Sequence, residues 1–192
     1  MWKAILKQAW TKVVASITSL WHSVYFHWQL KNKTGYILLT AFIFVVISIP
    51  TLTYQVVKYK NIQRNIKCLA LNVFHEARSE SNAGQRAVAS VTLNRVDSKR
   101  YPDNICDVVY EKNWDIIRKR YVGQFSWTEF DEPPKLKSKA WLRAWKIAET
   151  SYNEKSRHRL NGAMFYHAKH IKPSWARKKK PIALIGRHIF YK

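Results

Sequence analysis

The sequence predicts a mostly helical α+β fold, a lysozyme-like domain with small β elements, preceded by a transmembrane helix. Three observations carry this. No residue between Lys33 and Lys58 is charged. From residue 66 onward apolar side chains recur at helical spacing, and short extended stretches come only later. All 12 Asp and Glu residues lie between Glu76 and Glu154, which marks the middle of the chain as its folded, chemically diverse part. The 192 residues suit one domain plus extra segments. The net charge of +22 favours anionic polymers (nucleic acid, phospholipid surfaces or an acidic envelope) without choosing among them.

Residues 1–33 carry Lys3, Lys7, Lys12, Lys31 and Lys33 and no acid. Trp10, Val14, Ile17, Trp21, Tyr25 and Trp28 recur at helical spacing, so this basic segment reads as an amphipathic helix at a membrane interface, where tryptophan is favoured. A second span is the rival reading, because Val13 to Leu30 has no Lys, Arg, Asp or Glu; its Ser, Thr, His and Gln content weighs against it. Residues 34–57, rich in Ile, Leu, Val and Phe, are long enough to cross a hydrocarbon core of roughly 30 Å. A cleaved signal peptide fits less well, since the run starts deep in the chain, is long, and lacks a small-x-small site. Pro50 is expected to kink or end this helix. Lys58, Lys60, Arg64 and Lys67 outnumber Lys31 and Lys33, so the positive-inside rule taken alone puts the following residues in the cytoplasm. Long domains translocate largely regardless of that rule.

Residues 58–65 read as a linker, and 66–192 as the folded domain. Ile66, Leu69, Ala70, Val73, Phe74 and Ala77 form one apolar stripe. Ser81 or Asn82 is expected to cap a second helix, with Gln85 closing a capping box from Asn82. A short helix follows Pro102, from about Asn104 to Tyr110. Residues 121–128 look extended, Pro133-Pro134 breaks the chain, and Ser138 starts a long helix with Trp141, Ala144, Trp145, Ala148 and Tyr152 on one face. Ala163–His167 and Ile185–Tyr191 read as extended, separated by a basic loop that ends in Arg177-Lys-Lys-Lys-Pro181. Cys68 and Cys106 form one disulfide if the domain lies outside the cytosol and stay reduced if it does not.

Helical projection puts Glu76 at the edge of the apolar stripe, with Glu80 a turn later on the same side. A carboxylate on an apolar face is costly unless paired or neutral, and desolvation raises its pKa. A protonated glutamic acid is what glycosidic cleavage needs. The competing reading is a plain ion pair of either glutamate with Arg86 or Arg95. The spacing sets the two carboxylates too close, and on one side, to flank a sugar from opposite faces.

Cys68-Leu-Ala-Leu-Asn-Val-Phe-His-Glu-Ala-Arg-Ser-Glu80 and Gly84-Gln-Arg-Ala-Val-Ala-Ser-Val-Thr-Leu-Asn-Arg-Val96 resemble the opening of the SleB/CwlJ-type cell wall hydrolase family. Tyr101-Pro102, Gln124-Phe-Ser-Trp127, Gly162-Ala163, Tyr166-His167, Pro173-Ser-Trp175 and Gly186-Arg-His-Ile-Phe-Tyr191 continue the resemblance in order. Ser79 stands where the family usually has glycine. The resemblance implies a cleft that binds peptidoglycan, with Glu76 catalytic and the glycan strand cut after N-acetylmuramic acid, as a lytic transglycosylase or a muramidase. Together with the apolar span it leads to the expectation of a catalytic domain held on the inner membrane and facing the periplasm or wall; no cofactor is expected. Glu80, Gln124, Ser126, Trp127, Tyr166 and His167 are the candidate substrate-binding residues, each with a structural alternative; Arg95 could hold Glu80.

Two rivals remain. His75, His167, His170, His188 and Cys68 could supply a metal site, yet His75-Glu76 lacks the second histidine of His-Glu-x-x-His, because Ser79 stands there. A tethered nucleic-acid- or envelope-binding protein without activity would use the run Arg177–Lys180, but no nucleic-acid fold signature accompanies that run, so no nucleic-acid partner is expected. The sequence leaves the oligomeric state open.

Overall fold

Helix dominates because long stretches carry helix-compatible residues, with glycine near element ends or in turns and Pro50 the exception among the prolines. The structure, a computed structural model, describes residues 2–28, 33–130, 132–154 and 159–192. It divides into two units, Met1–Val57 and Lys58–Lys192. The first holds α1 (Trp2–Trp28) and most of the apolar part of α2 (Lys33–Ala77). Pro50 lies inside α2 and does not end it. The hydroxyl of Thr51 donates to the carbonyls of Ile47 and Ser48 at 3.1 and 2.8 Å, whereas the carbonyl that loses its N–H partner to Pro50 is that of Val46. By length and composition α2 could cross a membrane, with a window of mean hydropathy 2.2 of which 0% is buried. Residues 58–65, expected as a linker, are helical here, continuous with the residues before and after them.

In the second unit the predicted stripe is the core. Ile66, Leu69, Ala70, Val73 and Phe74 are buried against Ala89 and Leu93 of α3 (Asn82–Val96), Ile105 and Val109 of α4 (Ile105–Val109), and Trp141, Ala144, Ile147 and Ala148 of α5 (Lys139–Asn153). Ser81 caps α3, its Oγ accepting from the Gly84 N–H at 3.3 Å. The Asn82–Gln85 box does not form: Gln85 is 0% exposed and points into the fold. Asn104 caps α4 and Ser138 caps α5. A disulfide joins Cys68 to Cys106 and so ties α2 to α4. Closing a loop across a sequence separation of 38 stabilises the fold by about 4 kcal/mol on chain-entropy grounds.

The β structure is small and antiparallel. β1 (Lys112–Asp115) and β2 (Arg120–Gly123) form a hairpin. The extended stretch expected at 121–128 ends at Gly123, and Ser126–Glu129 is a 3-10 turn instead. The chain doubles back there, with Gly123 so close that a Cβ would meet Thr128 Oγ1 at 2.2 Å. β3 (Phe165–Ala168), β5 (His188–Tyr191) and β4 (Pro181–Ile185) make a second sheet in the order β3-β5-β4. The single stretch expected at 185–191 is therefore the end of one strand, a turn at Gly186-Arg187, and the next strand. Ala87 and Val91 of α3 pack on Ala163 and Phe190, which seats this sheet against the helices.

Candidate active site

Glu76 stands in the last turn of α2, and its surroundings come from α3 and β3. Strand alternation decides which residues of β3 reach it. Tyr166 turns to the side of Phe190 and His188, with ring centroids 5.7 and 5.4 Å away. From there its hydroxyl donates to Glu76 Oε2 at 3.1 Å. His167 turns to the other side, stacked on Tyr191, with Nδ1 2.9 Å from the Ala168 carbonyl and Nε2 2.9 Å from the Tyr191 hydroxyl. The two neighbours in sequence thus serve opposite faces, and only Tyr166 touches Glu76.

Burial pushes the Glu76 carboxyl above its ordinary pKa, while the Tyr166 hydrogen bond and the Arg95 charge pull it partway back. Among the described residues Glu76 makes no ion pair within 4.0 Å. Arg95 is 5% exposed. Its Nε donates to the Met164 carbonyl at 2.9 Å, and its guanidinium sits 5.3 Å from the ring centres of Tyr101 and of Phe125. Its buried Nη1 has no hydrogen-bond partner among the described residues. A protonated carboxyl beside a phenol donor and a fixed cation can release a proton and have the resulting charge held.

Glu80 is placed differently. It is 5% exposed, and Arg187 reaches it with Nε at 2.6 Å and with its backbone N–H at 3.2 Å. Burial raises the Glu80 carboxyl, but the hydrogen bonds and charge of Arg187 outweigh it and leave the carboxyl below its usual range. A Cβ on Gly186, at φ +59°, would stand 2.0 Å from Glu80 Oε2, and one on Gly84 would stand 2.8 Å from Glu80 Cβ. The partner of Glu80 is therefore Arg187; neither Arg95 nor Arg86 fills that place, and Arg86 instead meets Glu154 at 3.5 Å.

Trp127 is held on two sides. Its indole N–H donates to Asn72 Oδ1 at 3.0 Å, and its ring stacks on His75 with centroids 4.5 Å apart. Asn72, wholly buried one turn before Glu76, also donates to Thr92 Oγ1 at 3.0 Å. Gln124 accepts from Asn113 Nδ2 at 2.9 Å, and Ser126 is exposed. A groove of about 610 Å³ is lined by Leu71, His75, Tyr110, Trp127, Phe130 and Trp141 among others; Glu76 is not among its lining residues. Asn72, Arg95 and Arg187 are the residues that sequence reasoning did not assign to these positions. The sequence weighs Arg95 only as an ion-pair partner of a glutamate, and Asn72 projects beyond Glu76, outside the apolar stripe, so periodicity gives no sign of its burial.

Three comparisons bear on this arrangement. The family described as cell wall hydrolase matches residues 79–191, a range that begins just after Glu76. The spore cortex-lytic enzyme of Oceanobacillus iheyensis is 28% identical over 130 residues, covering 68% of this chain and 42% of that protein. The spore cortex-lytic enzyme of Bacillus cereus is 29% identical over 131 residues, covering 68% of this chain and 45% of its own length. This chain thus spans less than half the length of these curated relatives. Among solved structures, the catalytic domain of the Bacillus cereus SleB protein aligns with a TM-score of 0.50 at 27% identity, over 68% of this chain and 91% of that one. The catalytic domain of the germination-specific lytic transglycosylase SleB from Bacillus anthracis aligns with a TM-score of 0.52 at 27% identity, over 68% and 95%.

Proposed function

Because this chain belongs to the cell wall hydrolase family, we propose that its second unit cleaves the glycan strands of peptidoglycan after N-acetylmuramic acid, with Glu76 as the single catalytic carboxyl. The observation that carries this reading is the state of that side chain: half-buried, raised in pKa, bonded to Tyr166 and without an ion pair among the described residues.

In the first step Glu76 gives its proton to the bridging oxygen, the glycosidic C–O bond breaks, and positive charge gathers on the anomeric carbon. The new Glu76 carboxylate is stabilised by the Tyr166 hydroxyl and by the Arg95 charge. In the second step that carboxylate removes the proton from a hydroxyl of the same muramic acid, whose oxygen closes on the anomeric carbon to give an anhydro end. If water is deprotonated instead, the product is that of a muramidase. The anhydro route is favoured here because the neighbouring carboxyl, Glu80, is committed to Arg187. It cannot serve as the second carboxylate that hydrolytic glycosidases place across the sugar. The Bacillus anthracis relative, described as a lytic transglycosylase, supports the same choice.

We assign Trp127, Gln124 and Ser126 to sugar contact, and Tyr166 to both sugar and catalytic carboxyl. Glu80 and His167 act indirectly by holding the Gly186-Arg187 turn and the β3–β5 pairing. We also assign residues 34–57 to a single span of the inner membrane, residues 1–33 to its interface, and the second unit to the extracytoplasmic side, where the Cys68–Cys106 bridge is chemically at home. Alkaline phosphatase fused after Lys192 should then be active; an inactive fusion in exponentially growing cells overturns that topology.

The test of the reaction is mass spectrometry of fragments released from purified sacculi by the detergent-solubilised full chain. Anhydro-muramic ends are expected from the wild type, and none from a folded Glu76→Gln variant. Reducing muramic ends select the muramidase route. Full activity of the variant, or cleavage confined to stem peptides, overturns the reading.

A further inference from the structure

We propose that the β1–β2 hairpin is a lipid-docking finger whose tip enters an anionic phospholipid surface. The inference is independent of whether α2 spans a membrane and of which bond the enzyme cuts. It starts from an anomaly at the tip: Ile116 is 81% and Ile117 94% exposed, side by side, in a unit with a well-filled core.

The tip is not loose. Asp115 Oδ1 accepts from the backbone N–H groups of Ile117 and Arg118, each at 2.9 Å, so an Asx turn holds the loop in shape. One rung in from the Asp115–Arg120 pair that closes the turn, Trp114 and Tyr121 face each other across the ladder. Their rings meet edge to face at 5.3 Å while remaining 54% and 63% exposed. Around them stand Lys112, Arg118, Lys119 and Arg120, all exposed. The local acids are Asp115, engaged in the turn, and Glu129, bonded to Arg120 at 2.8 Å and to the Gly123 N–H at 3.0 Å.

An apolar pair at the tip, three cations beside it and an aromatic pair one rung further in together supply what a leaflet's acyl boundary, anionic headgroups and interface each take up, with the long Arg118, Lys119 and Arg120 side chains able to reach back to the headgroups. Other occupants fit less well. A protein partner of ordinary affinity needs roughly 800 Å² from each side, more than a two-isoleucine tip presents. A glycan would use the Arg118 and Lys119 donors and the aromatic rings but would leave the two exposed isoleucines unused. A nucleic acid would use the cations but not the isoleucines.

The experiment uses the full chain carrying Ile117→Cys. Its native cysteines are bridged to each other, so a thiol-reactive environment-sensitive fluorophore is directed to the tip. The labelled protein is reconstituted into vesicles of phosphatidylethanolamine with phosphatidylglycerol, and separately into phosphatidylcholine alone. A Lys146→Cys label on exposed α5 serves as reference. In the anionic vesicles the tip label should shift to the blue and be quenched by lipids spin-labelled near the headgroup, while the reference stays aqueous. Adding Arg118→Glu and Lys119→Glu, or raising salt, should cut the inserted fraction by roughly tenfold. In Ile116→Ser the inserted fraction should fall by a similar factor. A tip label that stays aqueous in anionic vesicles overturns the proposal. So does a blue shift without lipid quenching that grows with protein concentration, which would indicate a second copy, and so does a shift produced in detergent by peptidoglycan fragments.

Discussion

Glu76 stands in the last turn of α2 and Glu80 just beyond the helix end, where helical projection carries the helix on, and the protein treats them in opposite ways. Glu80 is wrapped by Gly84, Gly186 and the guanidinium of Arg187, so its negative charge is required. Glu76 meets a phenol and, at longer range, a cation that is itself buried, so its charge is tolerated but not demanded. The lesson is that desolvation alone does not set a carboxyl's role. Both groups are pushed upward by burial, and only the partner decides whether the proton stays.

The comparison breaks most visibly through Glu76→Gln, which should reduce glycan cleavage by about 10²–10⁴-fold with the fold intact, measured by release of soluble fragments. The same substitution should stabilise the unit at neutral pH. A folded-state pKa raised above the unfolded value favours the native state at low pH, and that contribution is lost as pH rises through the folded value. The gain over wild type should therefore grow from acid to neutral pH in thermal melts; a gain that is constant with pH would show that Glu76 is not raised.

Next in size is Gly186→Ala, which forces a Cβ into a left-handed turn and against Glu80 Oε2. Expected destabilisation is about 2–4 kcal/mol by chemical denaturation. Glu80→Gln should cost about 1–3 kcal/mol near neutral pH. Here the sign is reversed: the lowered carboxyl contributes stability above its unfolded pKa and loses it as pH falls through the folded value. The cost of Glu80→Gln should thus shrink in acid, while the benefit of Glu76→Gln shrinks there too. The smallest effect is expected for Tyr166→Phe. Removing a hydrogen bond that lowers the Glu76 pKa should move the alkaline limb of the activity profile to higher pH, with a loss in rate of about tenfold or less. An unmoved limb would show that Tyr166 does not reach the acid.

Much of this site was legible locally. The apolar stripe from Ile66 to Ala77 had Glu76 at its edge, and helix periodicity is enough to read that. What periodicity cannot read is pairing across distance. Arg187 meets Glu80 from 107 residues away. The choice between Tyr166 and His167 needed the strand's facing, since each alone is a plausible sugar contact. Residues 121–128 were misread because β-propensity in Tyr121, Val122 and Phe125 hides the reversal that Gly123 permits. The interior position of Pro50 runs against local propensity: proline removes a single N–H from the ladder, and α2 continues on both sides of it.

The bridge between Cys68 and Cys106 has a consequence in time. It fastens the segment that leads into Glu76 to a neighbouring helix, and thiols can be joined only where electrons can be taken from them. A freshly made chain in reducing surroundings is thus an unfastened tool. On the extracytoplasmic placement proposed above, passage into oxidising surroundings is what fastens it, so the second unit reaches full sturdiness only after leaving the compartment of its synthesis.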